Sequence, residues 1–173
     1  MAPGLRKFAL TAHVTASVGW LGAVGGSLAL GVAGLTLRDA ERVRAVYLTM
    51  ELMGWFVLVP LSFASLLTGL VQSLGTRWGL LRHYWVIVKF GMNLFATTIL
   101  LLYMQTLNYL ARLAAETPAS ADLAGLRSPS PIVHSAGALV LLLVAVTLSV
   151  YKPRGMTRYG QRKQLKERAA SAR

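Results

Sequence analysis

The chain has 173 residues, of which 55% are hydrophobic and only 14% charged, with a formal charge of +12 and a mean hydropathy of +0.55. A soluble domain usually carries about 25% charged residues, so this composition argues against one, and the absence of cysteine excludes disulfides, thiol chemistry and thiolate metal sites. The basic excess raises nucleic acid as a partner, but neither aromatic interleaving nor a reading motif accompanies it.

Charge is missing from four long apolar runs, which predict transmembrane helices at about 8–37, 46–74, 84–110 and 132–151. Each reaches the ~20 residues needed to cross ~30 Å of hydrocarbon. The expected fold is an all-α membrane protein, a four-transmembrane-helix bundle over 1–155 followed by a basic tail over 156–173. The first run is about twice the length of the apolar region of a cleavable signal, so it reads as a retained helix. With the N-terminus inside, Arg6, Lys7, Arg77, Arg82 and the tail basics Lys152, Arg154, Arg158, Arg162, Lys163, Lys166, Arg168 and Arg173 are cytoplasmic. The outer loops then hold Arg38, Arg42, Arg44, Arg112 and Arg127, offset by Asp39, Glu41, Glu116 and Asp122. This asymmetry predicts both termini in the cytoplasm of a multi-pass cell-membrane protein, in a bacterium the inner membrane. The basic tail is suited to anionic lipid headgroups.

Helix one carries two adjacent stripes. Ala12, Ala16, Gly19, Ala23 and Gly26 form a row of small residues, and Gly22 with Gly26 adds a small-xxx-small pair suited to close helix contact or a homo-oligomer. His13, Ser17, Trp20, Val24 and Ser27 form the second stripe, expected to face the bundle interior. After the charged loop Arg38–Arg44, helix two places Glu51 about two turns inside its outer end and Pro60 near its middle, where a kink is expected. Glu51 reads either as a functional carboxylate or as one shallow enough to reach interfacial water or Arg44.

The loop Gly75–His83 holds an interfacial Trp78. On helix three, Trp85, Lys89 and Asn93 are spaced by four and share a face; Lys89 reads either as a site residue or as one snorkelling to the interface. The outer loop from about Arg112 to Pro131 is rich in Ala, Ser and Pro, including Pro118. Helix four begins with Ile132-Val-His134-Ser135 and ends near Tyr151, where Pro153 and Gly155 break it. The residues after them either extend as a basic helix or stay disordered.

Soluble-enzyme motifs are absent: there is no P-loop, dinucleotide fingerprint, HExxH or Gly-x-Ser-x-Gly. The chemistry-bearing residues fall into two groups. His13, His83 and Lys89 lie toward the cytoplasmic side, and His134 and Glu51 toward the exterior. An inward histidine in a helical bundle can hold a b-type haem. His134 and Glu51, with Met50 and Met53 nearby, suit a copper ion as an alternative exterior metal site. Structural polar packing accounts for the same residues without any cofactor.

His13-x6-Trp20-x-Gly22 and Trp85-x3-Lys89 resemble the broad CopD/HemJ-like group of small membrane proteins. The same elements, with the ending Lys152-Pro-Arg-Gly-Met-Thr157, are similar to an uncharacterised family of predicted four-helix integral membrane proteins. The resemblance implies His13 as an axial ligand to haem iron, Trp20 and Trp85 as pocket walls, and Lys89 near a propionate or substrate carboxylate. It covers about a quarter of the chain, and the ending expected of protoporphyrinogen-oxidising members has no counterpart. The expected function is haem binding for electron transfer or haem handling. The alternatives are a non-catalytic membrane scaffold and a small proton-coupled transporter using Glu51 and His134.

Overall fold

A computed structural model describes residues 2–75, 79–116 and 123–171. Arg77, Trp78, Pro118, Asp122 and Arg173 lie outside the described residues. The helices are α1 (Pro3–Thr36), α2 (Ala40–Gly75), α3 (Tyr84–Glu116), α4 (Ser130–Tyr151) and α5 (Arg158–Ser171). The first four are long and apolar enough to cross a membrane, and no β-strand occurs among the described residues. The chain is an all-α, four-helix membrane bundle. The start of α1 and the end of α4, with α5, lie at one end, called here the terminal end; the connections α1–α2 and α3–α4 form the far end.

All four spans exceed their sequence-based bounds, α4 only slightly, because helix-forming residues continue past the apolar run. Pro3 opens α1 at the position where a missing N–H does no harm. Asp39 caps α2 by accepting a hydrogen bond from Arg42 N at 2.8 Å, so most of the charged loop is the first turn of a helix. At 1.5 Å per residue, α1, α2 and α3 each span roughly 50 Å, well beyond the ~30 Å of hydrocarbon. Their ends therefore project into the interface or water.

Going round the bundle, α1 packs on α2 and α4, and α3 packs on the same two helices, leaving α1 and α3 to face each other across the axis. Midway along α2 the backbone widens into a π-turn over Gly54–Leu58, with Val59 N–H bonding back to Gly54 O. Pro60 follows at once, so the kink expected from proline takes the form of this widened turn.

Each end is tied down. At the far end Val43, Tyr47, Leu110, Ala114 and Leu126 form a cluster, and the Tyr47 hydroxyl donates to Leu126 O. Arg44 caps the α3 end, its Nε donating to Ala114 O at 2.7 Å and its Nη2 to Ala115 O at 3.0 Å. At the terminal end the segment after α4 folds back onto the α2–α3 loop. Thr157 N donates to Arg82 O at 3.0 Å, Thr157 Oγ1 donates to Leu81 O at 2.6 Å, and the backbones of His83 and Met156 pair. Thr157 Oγ1 also accepts from Gly160 N at 3.0 Å, capping α5, and Arg82 pairs with Glu167 at 2.7 Å. The basic tail is thus a docked helix.

Candidate functional site, a polar centre inside the bundle

The inner stripe of α1 faces the bundle, as its spacing predicts: Trp20, Val24 and Ser27 are buried. His13 Nδ1 lies 3.1 Å from Thr68 Oγ1 of α2, and Lys89 Nζ reaches across the axis from α3 to within 3.5 Å of His13 Nε2. Hydrogen-bond counting fixes the roles. The single proton of Thr68 goes to Ala64 O at 2.5 Å, so Thr68 Oγ1 accepts from His13 Nδ1–H. The Nε2 lone pair then accepts from the Lys89 amine. Gly69 lets the ring sit this close, since a Cβ there would lie 3.0 Å from His13 Cε1.

One turn deeper, Ser17 Oγ and Ser65 Oγ are 2.9 Å apart, and Asn93 Nδ2 donates to Ser65 Oγ at 3.4 Å. Ser65 and Asn93 are both buried. Helical spacing explains the alignment: His13 and Ser17, Lys89 and Asn93, and Ser65 and Thr68 are three or four apart on their helices. The three helices therefore present two stacked polar layers. Among the described residues Lys89 has no carboxylate partner, because the one ion pair present joins Arg82 to Glu167. The amine is held in this setting by the His13 ring and not by an opposite charge.

The remaining sequence candidates fall elsewhere. Trp85 is half-buried in the first turn of α3, one turn from Lys89. His83 belongs to the terminal-end clasp, bridged through its backbone to Met156. Trp20 lies about two turns beyond His13 and lines an apolar cavity of about 310 Å³. Val24 and Ser27 of α1, Met50 of α2, and Tyr103 and His134 also line this cavity. The His134 ring stacks on Tyr103, with centroids 3.9 Å apart and planes 14° from parallel, and its Nδ1 donates to Ser130 O at 2.9 Å. Glu51 is half-buried and makes no ion pair or side-chain hydrogen bond among the described residues; the exterior pair is not joined through this cavity, which Glu51 does not line. No group of three His, Cys, Asp or Glu side chains gathers among the described residues.

Sequence reading missed Ser65, Thr68, Gly69 and Tyr103. Ser65, Thr68 and Gln72 recur at helical spacing within an apolar run, a polar periodicity that could have singled out the inner face of α2. The small-residue stripe of α1 divides: Gly19 packs against Leu61, whereas Gly22 and Gly26 have open space around them. Comparison with protein-family models, curated proteins and solved structures yields no match, so geometry alone carries the reading of the site.

Proposed function

We propose that this multi-pass membrane protein binds an acidic, largely apolar cofactor inside the bundle, with haem b as that cofactor and His13 as its axial ligand. The observation that carries the reading is the orientation of His13. Thr68 accepts from Nδ1–H, which leaves the Nε2 lone pair turned toward the bundle axis and an amine without a counter-charge among the described residues. A metal-bound histidine typically donates its other ring N–H to an oxygen in this manner. His13 would hold the haem through Nε2, and the Lys89 amine would serve as the counter-charge for a propionate. Trp20 and Trp85 flank the centre along their helices. Haem bound there supplies one-electron redox chemistry; the chain supplies the ligand, its orientation and the counter-charge.

The test is a reduced-minus-oxidised absorption spectrum of the full-length protein purified in mild detergent and supplemented with haem. A Soret shift and an α-band are expected, lost in His13→Ala and kept in His134→Ala. No band in the wild type overturns the reading.

A second reading is a homo-oligomer through α1, supported by the open space around Gly22 and Gly26 on the outer face of the bundle. Gly22→Leu and Gly26→Leu should then shift the assembled species toward monomer in cross-linking, and an unchanged distribution refutes it. Under either reading the termini face the cytoplasm of the cell membrane, where exposed Arg162, Lys163, Lys166 and Arg168 of α5 meet anionic headgroups.

A further inference from the structure

We propose that the apolar cavity between α1, α3 and α4 is a binding site for the headgroup of a lipid-soluble quinone. This site is separate from the His13 centre and does not depend on whether haem binds there.

Four observations define the ligand. First, the volume of about 310 Å³ falls at the lower end of ligand pockets, roughly 300–1,000 Å³, which suits a single ring system. Secondly, flat rings stand among the aliphatic walls: Trp20, Phe95 and the stacked Tyr103–His134 pair. A flat ring packs on such surfaces better than a branched or bulky ligand. Thirdly, the polar atoms offered are mainly hydroxyl donors. Tyr103 offers its ring and not its hydroxyl: the residue is only 7% exposed, and the hydroxyl is closed off beside Ser130, which does not line the cavity. Ser27 and Ser135 are buried in the same walls and make no side-chain hydrogen bond among the described residues. Hydroxyls held in an apolar wall match carbonyl acceptors on the ligand. His134 donates through Nδ1, which leaves Nε2 as an acceptor for a ring hydroxyl, the form a reduced quinone presents. Fourthly, no carboxylate, lysine or arginine lines the cavity, so a charged headgroup finds no counter-charge.

The mouth identifies the source. Phe95, Val133 and Gly137 line the cavity and are exposed on the outer surface where α3 meets α4, within the spans. A ligand arriving there comes from the bilayer. An acyl chain would enter by the same mouth but leaves the hydroxyls without acceptors. The quinone ring satisfies both the apolar walls and the hydroxyls.

The test titrates decylubiquinone into the full-length protein in nanodiscs and follows tryptophan fluorescence, with decylcyclohexane as the alkyl competitor. Two variants are used. Ser135→Ala removes a wall hydroxyl, and Gly137→Leu fills the mouth from a position where a new Cβ meets nothing within 4 Å. Saturable quenching is expected in the wild type, with Kd raised about five- to tenfold in Ser135→Ala, as for loss of one buried hydrogen bond. Saturation should vanish in Gly137→Leu; if that variant does not fold, Ser135→Ala decides alone. Non-saturable quenching in the wild type, an unchanged Kd in Ser135→Ala, or equal competition by decylcyclohexane overturns the proposal, the last by assigning the cavity to lipid tails.

Discussion

Replacing Gly160 by alanine should release α5 from the bundle. A Cβ at this position would sit 2.4 Å from Arg82 O and 3.1 Å from Arg82 Cα, both of them backbone atoms with no freedom to swing aside. Ordinary contact begins at 3.4 Å, so the two segments must part by about 1 Å. That movement carries the Thr157 bonds to Arg82 O and Leu81 O, now 3.0 and 2.6 Å, beyond hydrogen-bonding range. Two such bonds contribute about 2 kcal/mol together, and the partly exposed Arg82–Glu167 pair adds at most about 1 kcal/mol. At 1.4 kcal/mol per decade, losing the two bonds raises the undocked population roughly 30-fold. Hydrogen exchange of the 158–171 amides in detergent should accelerate by about that factor, with the four spans unchanged. Gly4→Ala, where a Cβ meets nothing within 4 Å, is the control. If α5 of Gly160→Ala exchanges as slowly as in the wild type, the clasp does not hold the helix.

Three further substitutions, with Ser149→Ala as a control, probe the polar centre and the far end. Ser65→Ala removes the hydroxyl shared by Ser17 and Asn93 and should lower stability by about 1–2 kcal/mol in a detergent melt. Ser149→Ala, whose hydroxyl bonds only to Ala145 O of its own helix, should change the melt little. Arg44→Met uncaps α3 and should speed exchange over 110–116, with an effect of about 1–2 kcal/mol because part of the guanidinium contact is exposed. Tyr47→Phe leaves the ring in place but frees the turn Leu123–Leu126, so exchange should quicken at that turn and not at the terminal end.

The four spans were legible because lipid imposes a length and an apolar character that few other settings demand, and the inward face of α1 followed from simple spacing. Lys89 was ambiguous in the sequence because a lysine near a helix end can equally snorkel outward. Only the crossing of the axis by its side chain places it beside His13. Thr68 and Ser65 were overlooked because serine and threonine satisfy themselves within a helix and carry no charge signal. Gly31 and Gly34 were missed for another reason. Their neighbours, Ile132 and Tyr47, come from other helices, and close approach of that kind leaves no local mark. The Tyr103–His134 stack joins residues far apart in sequence and depends on how α3 and α4 face each other.

The widened turn at Gly54–Leu58 gives α2 an unusual tolerance. A π-turn is an α-helix carrying one surplus residue, so the two halves of α2 keep their facing directions despite the irregular spacing between them. Elsewhere in a span, losing one residue rotates everything beyond it by about 100° and turns the inner face outward. Here the loss of one residue, such as Val57, would instead restore an uninterrupted α-helix. Ser65 and Thr68 would still face His13 and Ser17. Pro60 would then sit in an ordinary ladder, where its ring meets the preceding carbonyl, so the shortened helix needs Pro60→Ala as a companion change. The pair of changes should shorten α2 by about 1.5 Å while leaving the polar layers aligned, a length adjustment separable from the orientation of the site.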